Sequence, residues 1–241
     1  MRELSLFSGA GGGLLGTMLL GFRPIGYVEW DDYCQRVIAA RIRDGILPDA
    51  PIFGDIRTFI RDGYAASYTG MVDVVTGGFP CQPFSVAGKQ KGADDERNMW
   101  PATVDCIRII RPRFALLENV TGLLTSGYFG TILRDIHESG FNARWGTFSA
   151  KDEGAPIERK RLFIACTNKG HGKEGMGDQQ NGAKEIQRSI ARKCPEFWLQ
   201  TPSADIGMGN GMDNYMDIVS AIGNGQVPQV VATAWKVLTG S

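Results

Sequence analysis

The chain has 241 residues with 26 basic and 26 acidic side chains, so it offers no overall charge that would attract nucleic acid or a membrane surface. A hydrophobic fraction of 43% with 22% charged residues is typical of a globular protein and excludes wholesale disorder. The sequence contains no apolar run long enough for a membrane span, no secretory leader, no Cys-x-x-Cys pair and only two histidines, which together predict a reduced, cytosolic enzyme without a metal site.

Short β-rich segments alternate with helix-like segments through the first two-thirds of the chain, which is typical of a parallel sheet covered by helices. The predicted strands are Leu4–Phe7, Ile25–Glu29, Ile52–Asp55, Val72–Thr76, Phe114–Glu118, Arg144–Phe148 and Leu162–Cys166. The predicted helices are Gly12–Leu20, Tyr33–Arg43, Asn98–Ile110, Phe129–Glu138 and Gln229–Val237. Residues 169–193 hold five glycines among Lys, Gln and Asn, and they predict a loop-rich insertion rather than further core.

The segment Phe7-Ser8-Gly9-Ala10-Gly11-Gly12-Gly13 joins the first predicted strand to the first predicted helix. Glycines let such a turn approach a ligand, and the helix N-terminus offers free N–H groups. Glu29 ends the next strand 17 residues after Gly12, about where nucleotide-binding βαβ units place a carboxylate for ribose hydroxyls. Trp30 would then stack on an adenine ring and Asp55 would accept from its amino group. The loop is not Gly-x-Gly-x-x-Gly, which disfavours a nicotinamide cofactor, and a tight turn beside a core tryptophan explains these residues about equally well.

The most specific segment is Gly77-Gly78-Phe79-Pro80-Cys81-Gln82-Pro83-Phe84-Ser85, after the fourth predicted strand. Two prolines restrict the loop around Cys81, as a positioned nucleophile requires, and its polar, glycine-rich setting favours thiol reactivity. The alternative is a buried inert thiol, the usual fate of a free cysteine. That alternative suits the cysteines in apolar helix or strand patterns, which are Cys34, Cys106 and Cys166, whereas Cys194 is predicted to lie in a loop.

Two further charged segments stand at predicted strand ends. Glu118 closes the apolar run that starts at Phe114, and partial desolvation there would let its carboxyl hold a proton near neutral pH. The alternative for Glu118 is a strand end that faces solvent. Arg159-Lys160-Arg161 precedes the seventh predicted strand and is either a solvated strand end or a clamp for an anion or a base edge.

Taken in order, seven segments resemble the motifs of the DNA (cytosine-5)-methyltransferase family. They are Leu6-Phe7-Ser8-Gly9-Ala10-Gly11-Gly12, Glu29-Trp30, Gly54-Asp55-Ile56, the segment from Gly77 to Ser85, Glu118-Asn119-Val120, Arg159-Lys160-Arg161 and Ile222-Gly223-Asn224-Gly225-Gln226-Val227-Pro228. The resemblance runs from residue 4 to about 235 without residues 169–215. The proline–cysteine loop followed by Glu-Asn-Val is its most specific part.

The resemblance implies an α/β, Rossmann-like S-adenosylmethionine-dependent methyltransferase fold, with a mostly parallel sheet, helices on both faces and a short, loop-rich target-recognition segment. The implied domains are 1–168 for catalysis and cofactor binding, 169–215 for a reduced target-recognition segment, and 216–241 for a C-terminal segment that returns to the catalytic domain.

By the same resemblance, the cofactor is S-adenosyl-L-methionine, with S-adenosyl-L-homocysteine as product, and the partner is double-stranded DNA. The residues implied to bind the cofactor are Phe7, Gly9, Ala10, Gly11, Gly12, Glu29, Trp30, Asp55, Ile56, Pro80 and Asn224. The implied catalytic residues are Cys81, Glu118, Arg159 and Arg161. The residues implied to contact nucleic acid are Gln82, Ser85, Lys89, Lys91, Arg188 and Arg192.

In the implied reaction, the Cys81 thiolate adds to carbon 6 of a cytosine flipped out of the duplex, which activates carbon 5 for methylation. Glu118 would bond ring nitrogen 3 and the exocyclic amine, and Arg161 would contact the ring oxygen. Arg159 would support the cysteine loop. We also expect a monomer without metal or membrane contact, in the cytoplasm, of the bacterial or phage-encoded type that accompanies restriction–modification.

Three features depart from the family's pattern. Ile157 stands where Gln is common, and Ile218-Val219-Ser220 stands where an arginine and often a lysine precede the Gly-Asn segment. The variable segment between Cys166 and Ile222 is short for a region that recognises a DNA sequence. The last departure bears most directly on specificity.

Three alternative functions stay open. The same chemistry on tRNA would use the same cysteine loop and Glu-Asn-Val, so these residues do not separate DNA from RNA. A catalytically silent nucleic-acid-binding relative would have no reason to keep Cys81, Glu118 and Arg161 together. A small-molecule methyltransferase would leave the cysteine loop unexplained.

Overall fold

The computed structural model describes residues 1–80, 98–171 and 225–240. The strands in these ranges are β1 (Arg2–Leu6), β2 (Arg23–Val28), β3 (Ile52–Phe53), β4 (Val74–Gly78), β5 (Phe114–Val120), β6 (Phe141–Ser149) and β7 (Lys160–Asn168). The helices are α1 (Gly12–Met18), α2 (Asp32–Arg43), α3 (Ile56–Arg61), α4 (Tyr64–Ser67), α5 (Trp100–Ile110), α6 (Phe129–Glu138) and α7 (Pro228–Thr239). The predicted site residues outside these ranges are Cys81, Gln82, Ser85, Lys89, Lys91, Arg188, Arg192 and Asn224.

The described strands form one sheet in the order β3-β2-β1-β4-β5-β7-β6. The pairs from β3 across to β5 are all parallel, whereas β7 runs antiparallel to both β5 and β6. The predicted α/β fold with a mostly parallel sheet is therefore confirmed. Strand order reverses between β1 and β4, and open α/β sheets bind ligands beyond the carboxyl ends of the strands at such a point.

Helices cover both faces of the sheet because successive side chains on each central strand point to opposite faces. Val75 and Leu117 belong to a buried cluster with the side chains of α3, α5 and α6. Their neighbours Val74 and Leu116 belong to a second cluster, which includes Trp235 of α7. The central strands are thus apolar on both sides, and this fixes their place inside the sheet.

On the second face, α7 packs closely against α1. A Cβ atom added at Gly16 would lie 2.6 Å from Cβ of Val231 and 2.7 Å from the carbonyl oxygen of Pro228. Since a side chain there would force the helices apart, Gly16 sets their close approach. This contact holds the segment before α7 next to the loop of residues 7–11 between β1 and α1, here called the glycine loop.

Side-chain caps and strand pairing account for the differences from the predicted elements. The predicted strand Ile52–Asp55 ends at Phe53, because the Asp55 carboxylate accepts a hydrogen bond of 2.8 Å from the Arg57 backbone N–H and begins α3. The sequence pattern predicts neither α3 nor α4. The predicted strand Arg144–Phe148 is longer in the structure, because every residue from Phe141 to Ser149 pairs with β7.

The three described cysteines, Cys34, Cys106 and Cys166, are all buried, as the sequence predicts. Burial raises the pKa of Cys106 and of Cys166 to about 12, so both thiols stay protonated and inert. Within the described ranges, no group of three His, Cys, Asp or Glu side chains could hold a metal ion. No helix in those same ranges is long and apolar enough to cross a membrane.

Candidate active site

A pocket opens at the carboxyl ends of β1 and β4, where the strand order reverses. Its lining combines the loop after β1, the start of α1, the end of β4, and the segment just before α7. Among the predicted site residues, it brings together Phe7, Gly9, Ala10, Gly12 and Glu118. The predicted residues around the loop after β1 thus share one cavity with Glu118, which lies far from them in the sequence.

The loop between β1 and α1 has an unusual backbone. Phe7 has a φ of 51°, which is rare for a residue with a side chain, and Gly9 and Gly11 have φ values of 55° and 93°. Gly11 is buried and caps the start of α1. Such left-handed positions suit glycine and turn the loop sharply into the helix, so the first N–H groups of α1 lie at the pocket.

Glu29 lies beside this loop with its carboxylate fixed by backbone donors. The N–H of Gly9 donates to Oε2 at 2.6 Å, and the N–H of Asp31 donates to Oε1 at 2.8 Å. Glu29 is 8% exposed, and desolvation raises its pKa despite these hydrogen bonds. The carboxylate therefore has a defined orientation next to the loop, as a ribose-binding acid would need.

Trp30 is 70% exposed, so the interpretation as a core tryptophan is wrong. Asp55 and Ile56 lie after β3, the neighbour of β2 in the sheet. The Asp55 carboxylate is ion-paired to Nη2 of Arg57 at 2.5 Å, which holds its pKa below the usual value. Ile56 is buried with its side chain in the core.

Glu118 lies near the end of β5 and is paired with Arg161 of β7. Nε of Arg161 lies 3.0 Å from Oε1 of Glu118, and only 12% of the Glu118 side chain is exposed. Desolvation raises the pKa of Glu118, and the charges of Arg161 and Arg159 oppose that effect. The predicted partial desolvation is confirmed, and the solvent-facing alternative is wrong.

Arg159 approaches the segment that precedes α7. Its Nη2 donates to the carbonyl oxygen of Gly225 at 2.6 Å, and its half-burial lowers the pKa of the guanidinium. The expected support of the cysteine loop concerns residues outside the described ranges. What the structure shows is that Arg159 anchors the backbone beside Gln226.

Sequence reasoning assigned no role to Asn119, yet it positions the chain that leads to the cysteine loop. Its Nδ2 donates to the carbonyl oxygen of Phe79 at 3.0 Å, and its side chain is buried. The ring of Phe79 also packs against that of Trp100, at 5.2 Å between centroids. Pro80 follows and is exposed. Within Glu-Asn-Val, Glu118 thus lines the pocket and Asn119 holds the backbone at Phe79.

Glu3 is a second feature that the sequence did not indicate. It is fully buried, and its carboxyl accepts hydrogen bonds from the hydroxyls of Thr17 at 2.7 Å and Thr76 at 2.5 Å. Burial raises the pKa of Glu3 to about 7. Both threonines line the pocket, so a titratable group lies beneath its floor.

The comparison with known proteins agrees with this geometry. Residues 1–218 match the model of the C-5 cytosine-specific DNA methylase family. The type II methyltransferase M.NgoMIV of Neisseria gonorrhoeae is 35% identical over 172 residues, which are 69% of this chain and 52% of that protein. M.NaeI of Lentzea aerocolonigenes is 35% identical over 176 residues, which are 70% of this chain and 40% of that protein. The chain thus spans about half the length of these relatives.

Solved structures show the same fold. A DNA modification methyltransferase encoded within an E. coli prophage superposes with a TM-score of 0.57 and 25% identity, over 75% of this chain and 51% of that one. Dnmt2 of S. pombe superposes with a TM-score of 0.56 over 77% of this chain and 60% of that one, and at 19% identity it supports the fold alone. The fold is the Rossmann-like fold of S-adenosylmethionine-dependent methyltransferases. By its sequence match and its fold, the chain belongs to the C-5 cytosine-specific DNA methylase family.

Proposed function

We propose that this chain methylates carbon 5 of cytosine in double-stranded DNA. The observation that carries the proposal is the Glu118–Arg161 ion pair on β5 and β7, because β5 neighbours β4, the strand that leads to Cys81, and Glu118 lines the same pocket as the glycine loop. Members of the family use S-adenosyl-L-methionine as methyl donor. The relatives' names as type II methyltransferases favour DNA as the substrate.

The residues around the glycine loop fit such a donor. An oriented carboxylate at Glu29 suits ribose hydroxyls, and the exposed Trp30 next to it offers a flat face to an aromatic base. Phe7, Gly9, Ala10 and Gly12 would complete the binding surface, with Gly11 shaping it; Asp55, Ile56, Pro80 and Asn224 stay predicted contacts. Once bound there, S-adenosyl-L-methionine supplies an electrophilic methyl group.

Glu118 and Arg161 would recognise the base. A carboxyl whose pKa is raised by burial can donate a proton to ring nitrogen 3 and accept from the exocyclic amine. The guanidinium of Arg161 would hold the carboxyl in place and contact the ring oxygen. Together they would withdraw electrons from the ring and make carbon 6 open to attack.

Cys81 would make that attack. Its thiolate would form a bond to carbon 6, and the electron pair released toward carbon 5 would take up the methyl group as the sulfur–methyl bond breaks and leaves S-adenosyl-L-homocysteine. Loss of the carbon-5 proton then restores the double bond and expels the thiolate. A stacked cytosine is inaccessible to this sequence, so the base has to be flipped out of the duplex.

The proposed function also includes a division of the chain into three parts, a set of nucleic-acid contacts and a monomeric state. Residues 1–168 would carry the chemistry, 169–215 would contact the target, and 216–241 would return to the catalytic domain; the contact between α1 and α7 supports the last step. Gln82, Ser85, Lys89, Lys91, Arg188 and Arg192 would contact the nucleic acid. We propose a monomer that uses no metal and acts in the cytoplasm of a bacterium or of a phage-infected cell, in line with the bacterial origin of the relatives.

Bisulfite sequencing of plasmid DNA from cells that express the protein tests the proposal, because it reports activity, base and sequence context together. The Cys81→Ala variant is the matched control and should leave no methylated cytosine. DNA with 5-fluorocytosine at the target should trap a covalent complex with the wild type and not with Cys81→Ala. If tRNA is methylated and the plasmid is not, the result would favour the RNA alternative. A wild-type protein that methylates DNA but never forms the trapped covalent complex would refute the covalent step.

A further inference from the structure

Gln226, just before α7, lies in a space that three glycines leave open. Side chains at Gly12 and Gly13, in the first turn of α1, would collide with its carbonyl oxygen and its side-chain Oε1 respectively. A Cβ at Gly78, at the end of β4, would lie 2.9 Å from its Nε2. Glycines of a helix and of a strand, far apart in the sequence, therefore accommodate this one residue.

The amide of Gln226 reaches the oxygen of Glu118 that Arg161 does not hold. Nε2 of Gln226 lies 3.5 Å from Oε2 of Glu118, whereas Nε of Arg161 lies 3.0 Å from Oε1. The contact with Gln226 is long for a hydrogen bond and short for two groups without an interaction. Each carboxyl oxygen thus faces a donor from a different part of the chain.

The backbone around Gln226 is anchored on both sides. Arg159 donates to the carbonyl oxygen of Gly225, and Pro228 begins the helix that packs against Gly16. An anchored backbone limits the movement of the side chain, so the amide is held at the carboxyl of Glu118. A residue that only filled space there would not need a polar end beside a desolvated acid.

We propose that Gln226 is a positioning residue for Glu118, and that its amide fixes the carboxyl against the first turn of α1. Gln226 would then support both Glu118, which would contact the base, and the glycine loop, which would contact the methyl donor. The inference rests on the proposed function for the role of Glu118, and on the structure for the contact itself.

The contact between Gln226 and Glu118 affects the proton affinity of the Glu118 carboxyl. Among the described residues, the charged groups that face Glu118 are Arg161 on β7 and Arg159 just before it. The amide of Gln226 adds a neutral donor, which favours the charged form of the carboxyl. Removing this donor should raise the pKa of Glu118, whereas simple loss of packing has no such directed effect.

A carbon-13 NMR titration of the glutamate carboxyls tests this in the folded protein, with Glu118→Gln identifying the Glu118 signal. Gln226→Met keeps the volume and removes the donor, and it should raise the Glu118 midpoint by about half a pH unit or more. Gln226→Glu places a second acid beside Glu118 and should raise the midpoint further. Gln229→Met, on the first turn of α7, is the matched control and should leave it unchanged.

An unchanged midpoint in Gln226→Met and Gln226→Glu would overturn the inference, as would an equal shift in Gln229→Met. If Gln226→Met fails to fold, Gln226→Glu decides the question alone. The titration needs neither DNA nor methyl donor, so it gives an answer even if the protein methylates nothing. In an active protein, the alkaline limb of the pH–rate profile should shift to higher pH by the same amount as the Glu118 midpoint.

Discussion

Glu118 has the environment of a desolvated, oriented acid, since burial raises its pKa while Arg161 keeps it in place. Glu118→Gln keeps the shape and one acceptor but cannot supply a proton. We expect turnover to fall by at least about 100-fold, the usual contribution of general acid–base catalysis, with donor binding nearly unchanged. Single-turnover methylation of a DNA duplex measures this loss.

Glu153 provides the control for that substitution. It is another buried glutamate with a raised pKa, and its side chain bonds to Thr233 of α7, away from the pocket lining. Glu153→Gln should leave turnover within a few-fold of the wild type. Near wild-type turnover in Glu118→Gln would instead remove Glu118 from the chemistry.

Glu29 supports a separate prediction, about the donor rather than the base. Glu29→Ala removes an acceptor that two backbone N–H groups orient, and with it a charge-assisted bond worth about 1.5–3 kcal/mol. Binding of S-adenosyl-L-methionine should therefore weaken by about ten- to a hundredfold. Calorimetry with the wild type, Glu29→Ala and the exposed-site variant Glu138→Ala measures it, and equal affinities would move the donor's ribose away from Glu29.

At the scale of elements, the alternation of apolar strands and amphipathic helices is enough to predict the seven strands and five of the seven α-helices in the described ranges. Element ends were less predictable, because they depend on side-chain bonds such as the Asp55 cap of α3. Local composition, rich in glycine and proline, predicts the site residues that lie in loops. It does not predict the roles of Gln226 and Glu3, because those roles arise from contacts with residues far away in the sequence.

The contact of α1 with α7 is an element-scale feature that mutation can test. Gly16→Ala places a methyl group 2.6 Å from Cβ of Val231, and such overpacking costs about 1–3 kcal/mol. Gly130→Ala on α6 is the control, because an added Cβ there meets no atom within 4 Å. It should be neutral or stabilising by up to about 1 kcal/mol. Urea denaturation should separate the two variants, and equal stabilities would show that α7 shifts to accept the methyl group.

At the scale of the whole molecule, Glu3 links the stability of the fold to pH. Its pKa is about 7 in the folded protein, above the usual value of 4.5, so the folded state binds the proton more tightly than the unfolded chain. The resulting stabilisation is fully present below about pH 4.5 and is lost as the pH rises through 7. The size of the loss is about 3 kcal/mol.

Glu3→Gln removes this titration and keeps a polar partner for Thr17 and Thr76. We expect the free energy of unfolding of the variant, relative to wild type, to increase by about 3 kcal/mol between pH 4.5 and 8. Glu138→Gln, at an exposed site on α6, should show no such change. A difference between Glu3→Gln and wild type that stays constant with pH would show that Glu3 does not titrate in this range.

Sequence specificity is also a property of the whole chain, and it follows from the length of one internal segment. Only 55 residues separate Cys166 from Ile222, and the first half of them is glycine-rich and polar. Such a segment can bring a few side chains to the major groove but can hardly form a large recognition domain. The candidates, all outside the described ranges, are Lys184, Gln187, Arg188, Arg192 and Lys193, with Trp198 or Thr201 in support.

Each good bidentate base contact contributes about 1–3 kcal/mol of discrimination, so two or three contacts define only a short site. We therefore expect a recognition sequence of about two to four base pairs, with phosphate contacts dominating the affinity. Sequencing of methylated DNA gives the length of the site, and binding measured across a series of salt concentrations should show a steep decline. Arg188→Ala and Arg192→Ala distinguish base contacts from phosphate contacts, because loss of a base contact relaxes the consensus. Loss of a phosphate contact instead weakens binding to every sequence about equally and flattens the salt dependence. A strict six-base consensus would mean that this short segment recognises more than its length suggests.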